Sequence, residues 1–211
     1  MTRAPIRQGL DSFFVRCRDM DATDHYRWAR VPSEGDALAF LVSVTDQSLR
    51  AIPDDELVSP MRTRFAFSEP ALKRGRGVMT LTQYNDVTHE EVVHERVDGV
   101  LRVRFQESTP PFLLSEELAR GAREGSITGL RFFDFLGPMP VLRRVERVRV
   151  PIDVNGTRVE IEAERFSDAS NDSELVVAHA IPAIGEASFV LSLSRDEELC
   201  VELVAIRTTS A

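Results

Sequence analysis

The stretch His89-Glu90-Glu91-Val92-Val93-His94 comes nearest to metal chemistry. A zinc hydrolase of that kind needs two histidines four residues apart on a helix, so that both imidazoles reach one metal while the glutamate acts as base. Here the spacing is five. On a helix the two side chains stand well over a quarter-turn apart, and on a strand they point to opposite faces. The nearby Asp98-Gly99, a favoured two-residue hairpin turn, argues for strand. No metal and no cofactor are expected. His25 and His179 lack a ligand pattern, and His179 sits in the apolar run Leu175 to Ile181, where a hydrogen-bonded structural histidine is the default.

Nucleophilic chemistry fares no better. Cys17 and Cys200 lie in apolar alternating runs without the electropositive neighbours that activate a thiol. They read as reduced core residues, although terminal strands that met would allow one disulfide. There is no Gly-x-Ser-x-Gly elbow, P-loop or dinucleotide fingerprint, and Gly75 and Gly77 lack the Lys-Ser or Lys-Thr that would hold phosphate. The chain reads as a protein without a catalytic site.

The charges are more informative. Arg143, Arg144, Arg147 and Arg149 form a basic cluster between apolar residues. On a regular strand Arg143, Arg147 and Arg149 share a face with Val141 and Val145, Arg144 faces the other way, and Val148, Val150 and Ile152 cover the core. The expected outcome is a solvated face paired with Glu160, Glu162 and Glu164 on the next strand. Asp54-Asp55-Glu56, Glu90-Glu91, Glu116-Glu117 and Asp196-Glu197-Glu198 read as solvated caps and turns; brought together, they would form a negative surface for a basic partner. A net charge of −8 argues against a nucleic-acid binder that relies on phosphate neutralisation. With no run of about 18 apolar residues, no membrane-spanning helix is expected. The N-terminal MTRAPIRQGLDSFF lacks an apolar signal region, so a cytoplasmic protein is expected.

The elements that position these charges are mainly strands. Phe13 to Arg18, Tyr26 to Ala29, Met61 to Ser68, Val78 to Tyr84, Val92 to Val97 and Val100 to Gln106 read as extended, and Ala37 to Val44 leans that way. Beyond Pro140, Val145 to Val154 and Thr157 to Arg165 flank the hairpin signal Asn155-Gly156. Glu174 to Ile181, Ala187 to Ser194 and Leu199 to Arg207 complete a β-rich end. One helix stands out, from about Ser115 to Glu124. Ser115 is its N-cap, Glu116 and Glu117 suit the positive end of its dipole, Leu118 and Ala122 make an apolar face, and Gly125 stops it. Phe112-Leu113-Leu114 before it and Ile127 to Phe132 after it read as strands. The fold class is therefore α+β, a predominantly antiparallel sheet with one clear short helix. A single domain over 1–211 is expected, with 136–140 the best place for a subdomain boundary.

From Leu113 to Phe132 the order of features resembles a segment of the immunity proteins found beside bacterial polymorphic toxins, a family abundant in myxobacteria. The matching residues are Leu113, Leu114, Ser115, Glu116, Leu118, Ile127, Thr128, Gly129, Leu130 and Phe132. The resemblance implies a cytoplasmic, non-catalytic protein whose partner is a bacterial toxin domain that it binds and neutralises. The helix residues left free to meet such a partner are Glu116, Glu117, Arg120, Arg123 and Glu124. The alternative is a non-catalytic β-rich structural or regulatory protein-interaction module.

Overall fold

The structure, a computed structural model, describes residues 9–18, 23–32, 38–50, 52, 63–67, 79–83, 95–97, 100–105, 112, 114–130, 140–182, 184–195 and 199–209. Its strands are β1 (Leu10–Arg18), β2 (Thr23–Val31), β3 (Leu38–Thr45), β4 (Thr63–Phe67), β5 (Met79–Gln83), β6 (Glu95–Val97), β7 (Val100–Phe105), β8 (Ser126–Ile127), β9 (Leu142–Val154), β10 (Thr157–Ser167), β11 (Ser173–Ile181), β12 (Gly185–Arg195) and β13 (Leu199–Thr208). The helix α1 (Glu116–Glu124) lies between β7 and β8. The protein is thus mostly β.

All the strands belong to one sheet in the order β6-β7-β5-β4-β3-β2-β1-β13-β12-β11-β10-β9-β8. Among the described residues every pairing is antiparallel except a short parallel contact of β13 with β9, at Ala205↔Asp153 and Ile206↔Val154. That contact closes β9 to β13 into a ring. The closure is sewn by the hairpin tip. Asn155 and Gly156 have φ of 53° and 84°, the positive values that a two-residue hairpin turn demands. Asn155 donates through its backbone N to the Ile206 carbonyl (3.0 Å) and through Nδ2 to Thr208 Oγ1 (2.8 Å), and its Oδ1 accepts from Thr208 N (2.9 Å). Asp153 accepts from Gly156 N (2.7 Å) and from the Arg207 guanidinium (2.6 Å).

Strands β11 and β12 are apolar on both faces, and each face belongs to a different core. Val176, Ala178, Phe189 and Leu191 join the larger core with Phe13, Trp28 and Phe40 from β1, β2 and β3. Phe13 stacks on Trp28 at 5.6 Å between centroids and meets Phe40 edge-on at 5.2 Å. Leu175, Val177, Val190 and Leu193 face the other way, beneath Leu118, Ala119 and Ala122 of α1. The helix therefore covers the outer face of the ring.

Local sequence explains α1 well. Ser115 Oγ accepts from Leu118 N at 3.3 Å, and Gly125 ends the helix at φ 94°. Its flanks differ from the sequence expectation. Phe112 adopts φ 60°, and neither it nor Leu114 lies in a strand; both are instead held against β12, with Val190 N donating to Phe112 O (3.1 Å) and Leu114 N to Ser188 O (2.9 Å). A bulky residue at positive φ is strained, and burial of the ring against Phe13 holds it there. Past the helix, among the described residues 126–130, only Ser126–Ile127 is strand, because Gly129 at φ 73° turns the chain before Leu130, and the expected continuation over Arg131 and Phe132 lies outside the described residues. The strands expected elsewhere are present within a few residues, including Leu38–Thr45 for the ambiguous run 37–44.

Candidate functional site

Strand β10 pairs with β9 along its length, from Thr157↔Val154 to Ser167↔Arg143. Its pairing with β11 covers only Glu164↔Val177 to Ser167↔Glu174. Beyond Glu164 the two strands part and leave a cleft of about 990 Å³. Ile161, Ala163 and Ile181, all buried, contribute to its lining. Arg147, Arg149, Glu160, Glu162, Glu164 and His179 bring charge and polarity to it.

His179 marks the point where the strands separate. Its Nδ1 lies 2.9 Å from Ser188 Oγ and its Nε2 lies 3.4 Å from Glu164 Oε2. Glu164 also accepts from Arg144 (2.8 Å) and lies 3.8 Å from Arg147 Nε. A serine, a histidine and a carboxylate in line have the order of a hydrolytic relay. Ser188, however, is buried and does not line the cleft, while the Glu164 carboxylate is engaged by Arg144. The line ties β10, β11 and β12 together as a hydrogen-bonded structural element, the role expected of His179. The register between Ala178↔Phe189 and Ala180↔Glu186 is irregular, and this bulge accompanies the approach of Ser188 to His179.

The expected arginine–glutamate face is present at Glu162 and Glu164, whereas Glu160 lies opposite Pro151, and the placing of Arg144 is corrected. Arg147↔Glu164 and Arg149↔Glu162 are opposite one another, and Val148, Val150 and Ile152 turn to the larger core. Arg144 does not face away from Arg147; both reach the same Glu164 oxygen. The cause is a bulge that leaves Val145 unmatched between Arg165↔Glu146 and Phe166↔Arg144 and shifts the alternation by one residue. Val145 is 61% exposed as a result. The Arg149–Glu162 contact, at 3.7 Å between side chains that are 74% and 87% exposed, contributes little to stability.

The helix residues Glu116, Glu117, Arg120, Arg123 and Glu124 are all exposed and form the free surface of α1. Arg144 adjoins this helix, since its N donates to Gly125 O at 3.0 Å while its guanidinium reaches Glu164. Elsewhere, Cys17 and Cys200 are both free. Their strands do pair, but Cys17 lies opposite Val201 and Cys200 opposite Arg18, so strand alternation sends the thiols to opposite faces. Burial, followed by the Glu202 charge, pushes the Cys200 thiol above its ordinary value. Burial alone would raise Glu202 too, yet hydrogen bonds from Arg16 and Arg18 outweigh it and hold this carboxyl below its ordinary value.

His89 and His94 lie outside the described residues, as do Asp54 to Glu56. Among the described residues no group of three or more His, Cys, Asp or Glu is placed to hold a metal. No described helix is long and apolar enough to cross a membrane. No protein-family model, curated protein or solved structure matches this chain.

Proposed function

We propose that this protein is a cytoplasmic, non-catalytic immunity-type protein that binds and neutralises a cognate toxin domain. The observation that carries the reading is the division of labour within the segment that resembles the immunity family. Leu114, Leu118, Ile127 and Leu130 are spent on the smaller core, and Ser115 on capping. Glu116, Glu117, Arg120, Arg123 and Glu124 remain exposed on a helix anchored at both ends. An anchored helix bearing charges of both signs offers register and selectivity to a protein partner, since rim charges set orientation and association rate. The net charge of −8 favours a basic partner.

The test is co-expression with any toxin-like domain that the neighbouring genes encode. The wild-type chain is expected to protect the cell and to co-purify with the toxin. Glu116→Lys with Glu117→Lys is expected to slow association and lower protection while lowering the unfolding free energy by about 1–2 kcal/mol, because both charges leave the positive end of the α1 dipole. A chain that neither protects nor co-purifies rules the reading out. A stable homo-oligomer with no toxin-like neighbour would support the structural or regulatory module in its place.

A further inference from the structure

We infer that Asn155 is a deamidation site held in check by the contact of the β9–β10 turn with β13. The reaction needs only water. The Gly156 backbone nitrogen attacks Asn155 Cγ, loses its proton and expels ammonia, which leaves a cyclic succinimide. Water then opens either of the ring's C–N bonds to give aspartate or isoaspartate. Glycine hinders the attack least, because no Cβ stands beside the attacking nitrogen. The other asparagines, Asn85 and Asn171, are each followed by an aspartate, whose side chain crowds that nitrogen. Asn155 and Gly156 are both exposed, so water reaches the turn.

In the closed ring both reacting groups are committed elsewhere. Thr208 holds the Asn155 carboxamide from both ends, its Oγ1 accepting from Nδ2 (2.8 Å) and its N donating to Oδ1 (2.9 Å). The Gly156 N–H donates to Asp153 Oδ1 at 2.7 Å. Attack must swing Cγ away from β13 and free Gly156 N from Asp153, so it waits for a local opening of the turn. The product does not close again as before. Deamidation removes the Nδ2 donor and adds a carboxylate to a group that already contains Asp153. Isoaspartate also inserts an extra main-chain carbon into a two-residue hairpin whose positive φ at both positions suits only a normal backbone. The contact that restrains the reaction is therefore the contact that the reaction destroys.

The experiment incubates the full chain at mildly alkaline pH, folded and in guanidinium chloride, and follows conversion at each asparagine by peptide mapping and mass spectrometry. In denaturant Asn155 is expected to convert before Asn85 and Asn171. Folding is expected to slow it at least about tenfold, since two hydrogen bonds hold its carboxamide. Thr208→Val keeps the shape and removes the hydroxyl, and should speed conversion in the folded chain about fivefold, the effect of one such bond on a local opening. Ser115→Ala removes a hydrogen bond at the α1 N-cap instead, and should leave the rate at Asn155 unchanged. Protein converted at 155 should exchange the amide hydrogens of 155 and 208 faster than fresh protein. Four results overturn the inference: equal rates at Asn155 in the folded and denatured chain; a Thr208→Val protein no faster than wild type; a Ser115→Ala protein as fast as Thr208→Val, which would make global unfolding the route; or unchanged exchange at 208 after conversion.

Discussion

Strands β10 and β11 behave differently at their two ends. Where Phe166 and Leu175 lie under α1, the pair is hydrogen-bonded and buried on both faces. Beyond Glu164 and His179, the outer residues are Glu162 and Glu160, and the strands part. Both ends keep the inner apolar face, through Ile161, Ala163, Val176 and Ala178. What differs is the outer one. An outer apolar layer clamps two strands together by burying neighbouring side chains against a common cover, whereas solvated charges gain nothing from closing the gap. Cover on the second face separates closed sheet from open sheet.

This contrast can be broken by mutation. The largest effect is expected at the covered end, where Phe166→Ala should cost about 3–5 kcal/mol in urea denaturation because a fully buried ring leaves a cavity. Gly121→Ala is next. Helix propensity alone favours alanine by about 1 kcal/mol. Here the added Cβ would meet the Ser126 carbonyl oxygen at 2.6 Å, so a net loss of about 1–3 kcal/mol is expected as α1 is pushed from its return strand. A stabilised Gly121→Ala protein would mean that the cover is looser than its contacts imply.

Glu202→Gln asks what partial cover does for a polar contact. Its hydrogen bonds from Arg16 and Arg18 make a loss of about 1–2 kcal/mol the expectation at neutral pH. The folded carboxyl lies below its ordinary value of 4.5, so the unfolded chain takes up the proton first as acid is added. The contribution is complete above 4.5 and disappears as pH falls through the lower folded value. Urea midpoints stepped downward through the carboxylate range should therefore fall less steeply in Glu202→Gln than in wild type. Ser115→Ala, which removes the N-cap, should cost about 1 kcal/mol. Glu162→Ala, at the open end, should stay within about 0.5 kcal/mol. A loss above that at Glu162 would show that the open end is held by its charges after all.

Much of the local structure was legible in the sequence. Asn155-Gly156 demands a turn with positive φ, Ser115 and Gly125 bracket α1, and period-two alternation located the strands. Legibility stopped where one segment's position depends on another. Nothing in the composition of Leu142–Val154 announces the extra residue at Val145 that turns Arg144 to the side of Arg147, because a bulge is fixed by two strands together. Phe112 read as strand for the same reason, since its positive φ is imposed by the buried ring and by β12. The line of Glu164, His179 and Ser188 joins three strands whose register no spacing reveals. The irregular pairing near Ala178 is the detail that brings it together.

The pairing of β1 with β13 has a consequence for how the chain is made. Arg16 meets Glu202 across a sequence separation of 186 residues, and Phe13 meets Ile206. Synthesis runs from the N-terminus, so β1 and β2 emerge with one edge of β1 lacking its eventual neighbour until β13 appears. Contacts of such long separation form slowly, and an unpaired apolar edge invites association with other nascent chains in the interval. Phe13, Phe14 and Val15, which end in the core, must first pass through that waiting period. The last strand is therefore both the seam of the sheet and the signal that ends its exposure.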